Sequence, residues 1–142
     1  MNKKSGLLLL DTHIWLWLVS GVSKALSPRL RTLIEEASAN QSIRVSSISI
    51  WEIGMLAAKK KISFGTDIRE WVLKALSAPG LKIEAVGPDV ALESTLLPEG
   101  FHGDPADRIL LATAVHIGAT LITHDKEILT YSKKYNFPAL SL

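Results

Sequence analysis

Four consecutive leucines, Leu7 to Leu10, end on an acid, Asp11, and a second apolar run of similar design, Thr120 to His124, ends on Asp125. A short run that is apolar at every position, rather than at alternate ones, describes a strand with neither face in water. Such strands belong to parallel sheets covered by helices on both sides. Runs of this kind bounded by turn residues predict strands at 6–11, 43–48, 82–86 and 119–124, with a fifth near 138–142. Helical patterns fill the gaps at 12–20, 28–39, 50–61 and 67–77, from Pro88 to before Pro98, from Asp104 and Pro105 to Gly118, and at 126–134. Ser27 and Pro28 read as N-cap and first residue of the second helix. Strands alternating with helices define an α/β chain with a mostly parallel central sheet of four or five strands. With 142 residues, of which 47% are hydrophobic, there is material for one continuous core, so residues 1–142 are expected to form a single domain.

Lys3 and Lys4 ahead of the leucines invite a reading as a signal peptide or membrane anchor. Asp11, Thr12 and His13 cut the apolar stretch into short pieces, well below the ~20 residues of a spanning helix, and no small-residue cleavage site follows. No membrane association is expected. Sixteen Lys and Arg against fourteen Asp and Glu give a net charge of +2, which permits an anionic partner without demanding one. The absence of cysteine rules out disulfides and thiolate metal sites, leaving oxygen and imidazole as ligands, and is compatible with a reducing cytoplasm.

Four acids stand at one structural level. Asp11 and Asp125 end strands, Glu52 falls in the first turn of the helix after the second strand, and Asp107 in the first turn of the helix before the fourth. The carboxyl ends of parallel strands and the N-termini of the helices leading back share one edge of the sheet, where ligands bind. Singly, each acid has a plainer role. Ser49 to Glu52 and Asp104 to Asp107 both read as capping boxes, and Asp125 as an N-cap. Together, four charges about 6 Å apart form six repelling pairs of roughly 3 kcal/mol each at an effective dielectric of ~20. The sum rivals a domain's stability of ~5–15 kcal/mol, so protons or a cation must neutralise it. Carboxylates without thiols point to Mg²⁺ or Mn²⁺, and the chemistry such ions support here is hydrolysis of a nucleic-acid backbone.

The segments LLLLDTHIWLWL, SSISIWEIGMLA, GDPADRILLATA and TLITHD resemble, in order, the four acidic blocks of PIN domains, and are most similar to VapC-type toxins of toxin–antitoxin pairs. The resemblance spans nearly the whole chain. It implies a three-layer α/β/α sandwich, Mg²⁺- or Mn²⁺-dependent endoribonuclease activity on RNA, a homodimer, and a cognate antitoxin that silences the site. Matched to the blocks, Asp11, Glu52, Asp107 and Asp125 are the expected catalytic acids and metal ligands, with Asp104 left outside as a cap. Thr12 and Thr123 are candidates to steady the acids, with a structural strand-end role as the plainer reading, and Arg108 to reach phosphate, restrain a neighbouring acid or form an exposed ion pair. His13, His102, His116 and His124 lack a metal-binding spacing and are taken as non-ligands, with His102 a candidate substrate contact. Lys59 to Lys61 read as last-turn charges on their helix, with phosphate contact as a second role. The four tryptophans are expected in the core, except that Trp15 and Trp17 cannot face the same way. One of that pair is expected to meet a partner. Cleavage of DNA or structured flaps, and a non-catalytic Mg²⁺-binding module like a phospho-receiver, remain alternative readings.

Overall fold

In the computed structural model, residues 6–21, 26–61, 63–99, 101 and 103–142 are described. Lys3, Lys4 and His102 lie outside them. Five strands, β1 (Leu8–Leu10), β2 (Ile43–Ser46), β3 (Leu81–Glu84), β4 (Thr120–Ile122) and β5 (Ala139–Leu140), form one sheet in the order β3-β2-β1-β4-β5. Every pairing is parallel, with Leu8 opposite both Ile43 and Thr120. The helices are α1 (Thr12–Ser20), α2 (Pro28–Ala39), α3 (Ser47–Ala58), α4 (Ile68–Leu76), α5 (Pro88–Glu93), α6 (Pro105–Ile117) and α7 (Lys126–Tyr135). None of the described helices is long and apolar enough to cross a membrane.

Alternation along the leucine run divides the core in two. Leu8 and Leu10, with Ile43, Val45 and Ile122, face Ile14, Trp15, Leu30, Ile34, Ile53 and Ala75 from α1 to α4. Leu9 and Leu121 face the other way, onto Leu110, Leu111 and Ala114 of α6 and Ile128 and Tyr131 of α7. The expected α/β/α sandwich is therefore present, with the first four helices on one face and α6 and α7 on the other. The chain moves outward from β1 to β3 and then returns past β1 to β4 and β5. That reversal puts the switch point of the sheet between β1 and β4, the place where an open parallel sheet forms a crevice at its carboxyl edge.

Local signals hold where caps set them. The Ser27 hydroxyl accepts from Leu30 N at 3.1 Å, Asp104 caps α6, and Gly118 ends that helix in the left-handed region at φ 69°. The junction of β2 and α3 differs from expectation. Ser46 at the strand end is itself the N-cap, accepting from Ile48 N at 3.1 Å, so the helix begins at Ser47 with no intervening loop. Trp51 also departs from the expected core position and is 59% exposed. The face of α3 that enters the interior carries Ser49 and Ile53, four residues apart, and a residue midway between them points outward.

Gly80 is required by both conformation and space. Its φ is +76°, and a Cβ there would lie 2.1 Å from the backbone oxygen of Ser38, at the end of α2. Its carbonyl accepts from Ile43 N at 3.1 Å, and the Ser38 hydroxyl donates to Pro79 O at 2.8 Å, joining the α2 terminus to the start of β3. The Gly80→Ala variant is expected to lose about 2 kcal/mol or more of folding stability, read as a lower urea midpoint with an unchanged slope.

Candidate active site

Asp11 leaves β1 and caps α1. Its backbone amide donates to Ile122 O at 3.0 Å, carrying the parallel pairing one step past β4. Its carboxylate accepts from Thr12 N at 2.6 Å through one oxygen and from the Thr123 hydroxyl at 2.6 Å through the other. The Thr123 hydroxyl also accepts from Asp125 N at 3.0 Å, and Asp125 caps α7 by accepting from Ile128 N at 3.0 Å. One buried hydroxyl thus sets both strand-end acids. The expectation that Thr12 and Thr123 steady carboxylates holds for both.

Glu52 arrives by another route than the expected capping box. Because α3 starts at Ser47, Glu52 lies in the second turn, and Ser49 is a buried side chain rather than a cap. The Ser49 hydroxyl lies 2.7 Å from the Thr12 hydroxyl, which donates to Glu52. Thr12 therefore links the acid of α3 to the strand-end acid beside it. Asp104 and Asp107 come from the start of α6, where Asp104 accepts from Asp107 N at 2.9 Å.

Asp11, Glu52, Asp104, Asp107 and Asp125 line one open cleft of about 380 Å³, together with His13, Ile14, Trp17 and His124. The four acids expected from the sequence are thereby brought together. Asp104, placed outside the cluster as a cap, both caps and faces the cleft, because an N-cap carboxylate uses one oxygen and leaves the other free. His13 and His124 have no metal-binding spacing in the sequence, yet both line it. Their signal was proximity: each is within two residues of a strand-end acid. Arg108 turns away, donating to Ser94 O at 3.0 Å and Phe101 O at 3.1 Å and standing over the Phe101 ring. It fastens the segment before α6 and neither restrains an acid nor faces the cleft. Lys59 caps the C-terminus of α3, and Lys59 to Lys61 are exposed and do not line the cleft.

No lysine or arginine stands among the described lining residues. Burial pushes the Asp107 carboxyl up to about 8, and repulsion from Asp104, Asp11, Asp125 and Glu52 adds to it. Burial likewise raises Asp11, against the opposing hydrogen bonds from Thr123 and Thr12, and raises Glu52, against the hydroxyl of Thr12. Among the described residues no three such groups stand close enough to enclose an ion unaided. An open cleft lined by these acids fits a hard dication that keeps part of its water shell and takes further oxygens from a phosphate, rather than one caged by protein.

The chain belongs to the PIN-domain family, whose pattern matches residues 8–134, and its parallel sheet with acids at the switch point accords with that family. Among individual proteins it is 32% identical over 120 residues to Ribonuclease VapC22 of Mycobacterium tuberculosis, covering 84% of this chain and 88% of that one. Two solved structures share the fold. VapBC2 from Rickettsia felis, bound to a DNA fragment from its promoter, superposes with a TM-score of 0.70 at 17% identity, covering 95% of this chain and 98% of that chain. DNA-bound VapBC from Salmonella typhimurium gives 0.67 at 16% identity, covering 95% and 97%.

The raised carboxyls set a sign for the pH dependence of folding. A carboxyl whose folded pKa lies above its unfolded value binds its proton more tightly when folded. That contribution is complete below the unfolded value of 3.8 and is lost as pH rises towards about 8 for Asp107. The metal-free protein should therefore melt at lower temperature at about pH 8.5 than at about pH 5.5. The Asp107→Asn variant should show a smaller drop over the same window.

Proposed function

We propose that the chain is a metal-dependent endoribonuclease, the toxin of a toxin–antitoxin pair, built as one domain over residues 1–142 and acting on RNA in the cytoplasm. The observation that carries this reading is the gathering of Asp11, Glu52, Asp107 and Asp125 at the switch point with no lysine or arginine among the described lining residues to neutralise them. The relationship to a VapC ribonuclease supports RNA as the substrate. Asp11, Glu52, Asp107 and Asp125 would hold Mg²⁺ or Mn²⁺, and Asp104 is available to join them. When bound, such an ion lowers the pKa of its water and offsets the charge that develops on a phosphodiester under attack.

The chain's own residues do the positioning. Thr123 and the Thr12 amide fix both oxygens of Asp11, and the Thr12 hydroxyl fixes Glu52. These acids are then held at set angles before the substrate arrives, so less ordering is left to the reaction. Asp107 receives no such bond among the described residues, and its high proton affinity makes it the acid that changes state as the site fills. A cognate antitoxin and a homodimer belong to the same proposal. The antitoxin is supported by the VapBC assemblies that share the fold.

The Asp11→Asn variant should fold and lose both RNA cleavage and growth inhibition; an unchanged cleavage rate would sink the assignment. Thr123→Val, which keeps the shape and removes the hydroxyl, should lower metal affinity or activity by about 10- to 100-fold. Parallel assays on RNA and DNA strands of the same sequence should give cleavage of the RNA, and preference for DNA would move the reading to a DNA nuclease.

A further inference from the structure

One side of the cleft is aromatic, and the acid chemistry makes no use of it. His13 and Trp17, four residues apart on α1, present the same face, with ring centroids 6.0 Å apart. The ring of Trp17 lies 5.9 Å from that of His124 at an interplanar angle of 31°. His124 is tied in turn to the Ser141 hydroxyl at 2.9 Å. All three rings line the same cleft as the five carboxylates. Trp15, two residues away, is fully buried against Trp71, whereas Trp17 is only half-buried, part of it packed on the core. A large ring is thus anchored from behind and left open towards the acids.

Charge cannot hold a polyanion at this cleft without help, since its described lining carries five acids and no lysine or arginine. Stacking is indifferent to that charge, because every nucleobase has a π face, and single-stranded RNA is commonly held by bases laid on aromatic side chains. Resting on the ribonuclease reading, we propose that Trp17, flanked by His13 and His124, is a stacking platform for an unpaired nucleobase next to the scissile phosphodiester. Trp17 is thereby a positioning residue that selects single-stranded over paired substrate.

The test combines protein and substrate changes. The cleavage position in an unstructured RNA oligonucleotide is first mapped with the unaltered protein. KM and kcat are then measured for Trp17→Leu and Trp17→Phe, on that RNA and on copies carrying an abasic site on either side of the cut. Trp17→Leu should raise KM on the intact RNA by about tenfold, more than it lowers kcat, while Trp17→Phe should stay near the unaltered protein. One abasic copy should show a similar KM penalty with the unaltered protein and little further penalty with Trp17→Leu. A merely structural role would make the two penalties multiply. Should Trp17→Leu fail to fold, His13→Ala removes an exposed ring of the same arc and is read by the same cycle. Unchanged KM, or multiplying penalties, would overturn this inference and leave the ribonuclease reading standing. Trp17 also borders a groove with Leu18, Leu26 and Ile34, so lost antitoxin binding with unchanged RNA kinetics would assign it to protein docking and likewise overturn the inference. Absence of any RNA cleavage by the unaltered protein would bring down both.

Discussion

Asp11 sits where a carboxylate is hardest to accommodate, one residue past the central strand of a sheet covered on both faces, with 8% of its surface exposed. An ionised group taken from water needs hydrogen bonds or an opposite charge. Two donors, the Thr12 amide and the Thr123 hydroxyl, supply the bonds. A hydrogen bond to a charged group contributes about 1.5–3 kcal/mol, comparable with the roughly 3 kcal/mol repulsion from one neighbouring acid. Two such bonds offset one or two neighbours but not four. Asp107, whose carboxylate has no hydrogen bond among the described residues, has its proton affinity raised first by burial and then by the remaining repulsion from its neighbours.

The fold supplies the crowding and also contains it. Reversal of the winding at β1 and β4 leaves a crevice that neither side's helices fill. Into it come two strand ends, the second turn of α3 and the first turn of α6. The hydroxyls of Thr12, Ser49 and Thr123, all buried, tie three of these elements together behind the acids. Below them the leucines of β1 are packed from both faces, so the edge bearing the charge rests on a strand buried on both sides. A repelling cluster can be tolerated there because the scaffold beneath it is not the part under strain.

Much of this was legible in the chain. The doubly covered strands, the helix starts at Ser27–Pro28 and Asp104–Pro105, the stop at Gly118 and the convergence of four acids all follow from local pattern plus the geometry of parallel sheets. What could not be read depended on contacts between distant residues or on one-residue phase. Ser49 and Ser46 are equally good caps in sequence, and only the length of β2 decides between them. That choice moves Glu52 from the first turn of α3 to the second. Arg108 looks available for phosphate until Ser94 and Phe101 are found beside it. His13 and His124 are unremarkable singly, and their partnership exists only through Trp17.

On the proposed reading, a divalent cation, rather than permanent protonation, resolves the repulsion in the cleft. Calorimetric titration of Mn²⁺ at about pH 7, repeated in two buffers of different ionisation enthalpy, counts the protons released on binding. Binding with release of about one proton, reduced in Asp107→Asn, is the predicted result. Absence of binding, or binding with no proton release, would contradict it.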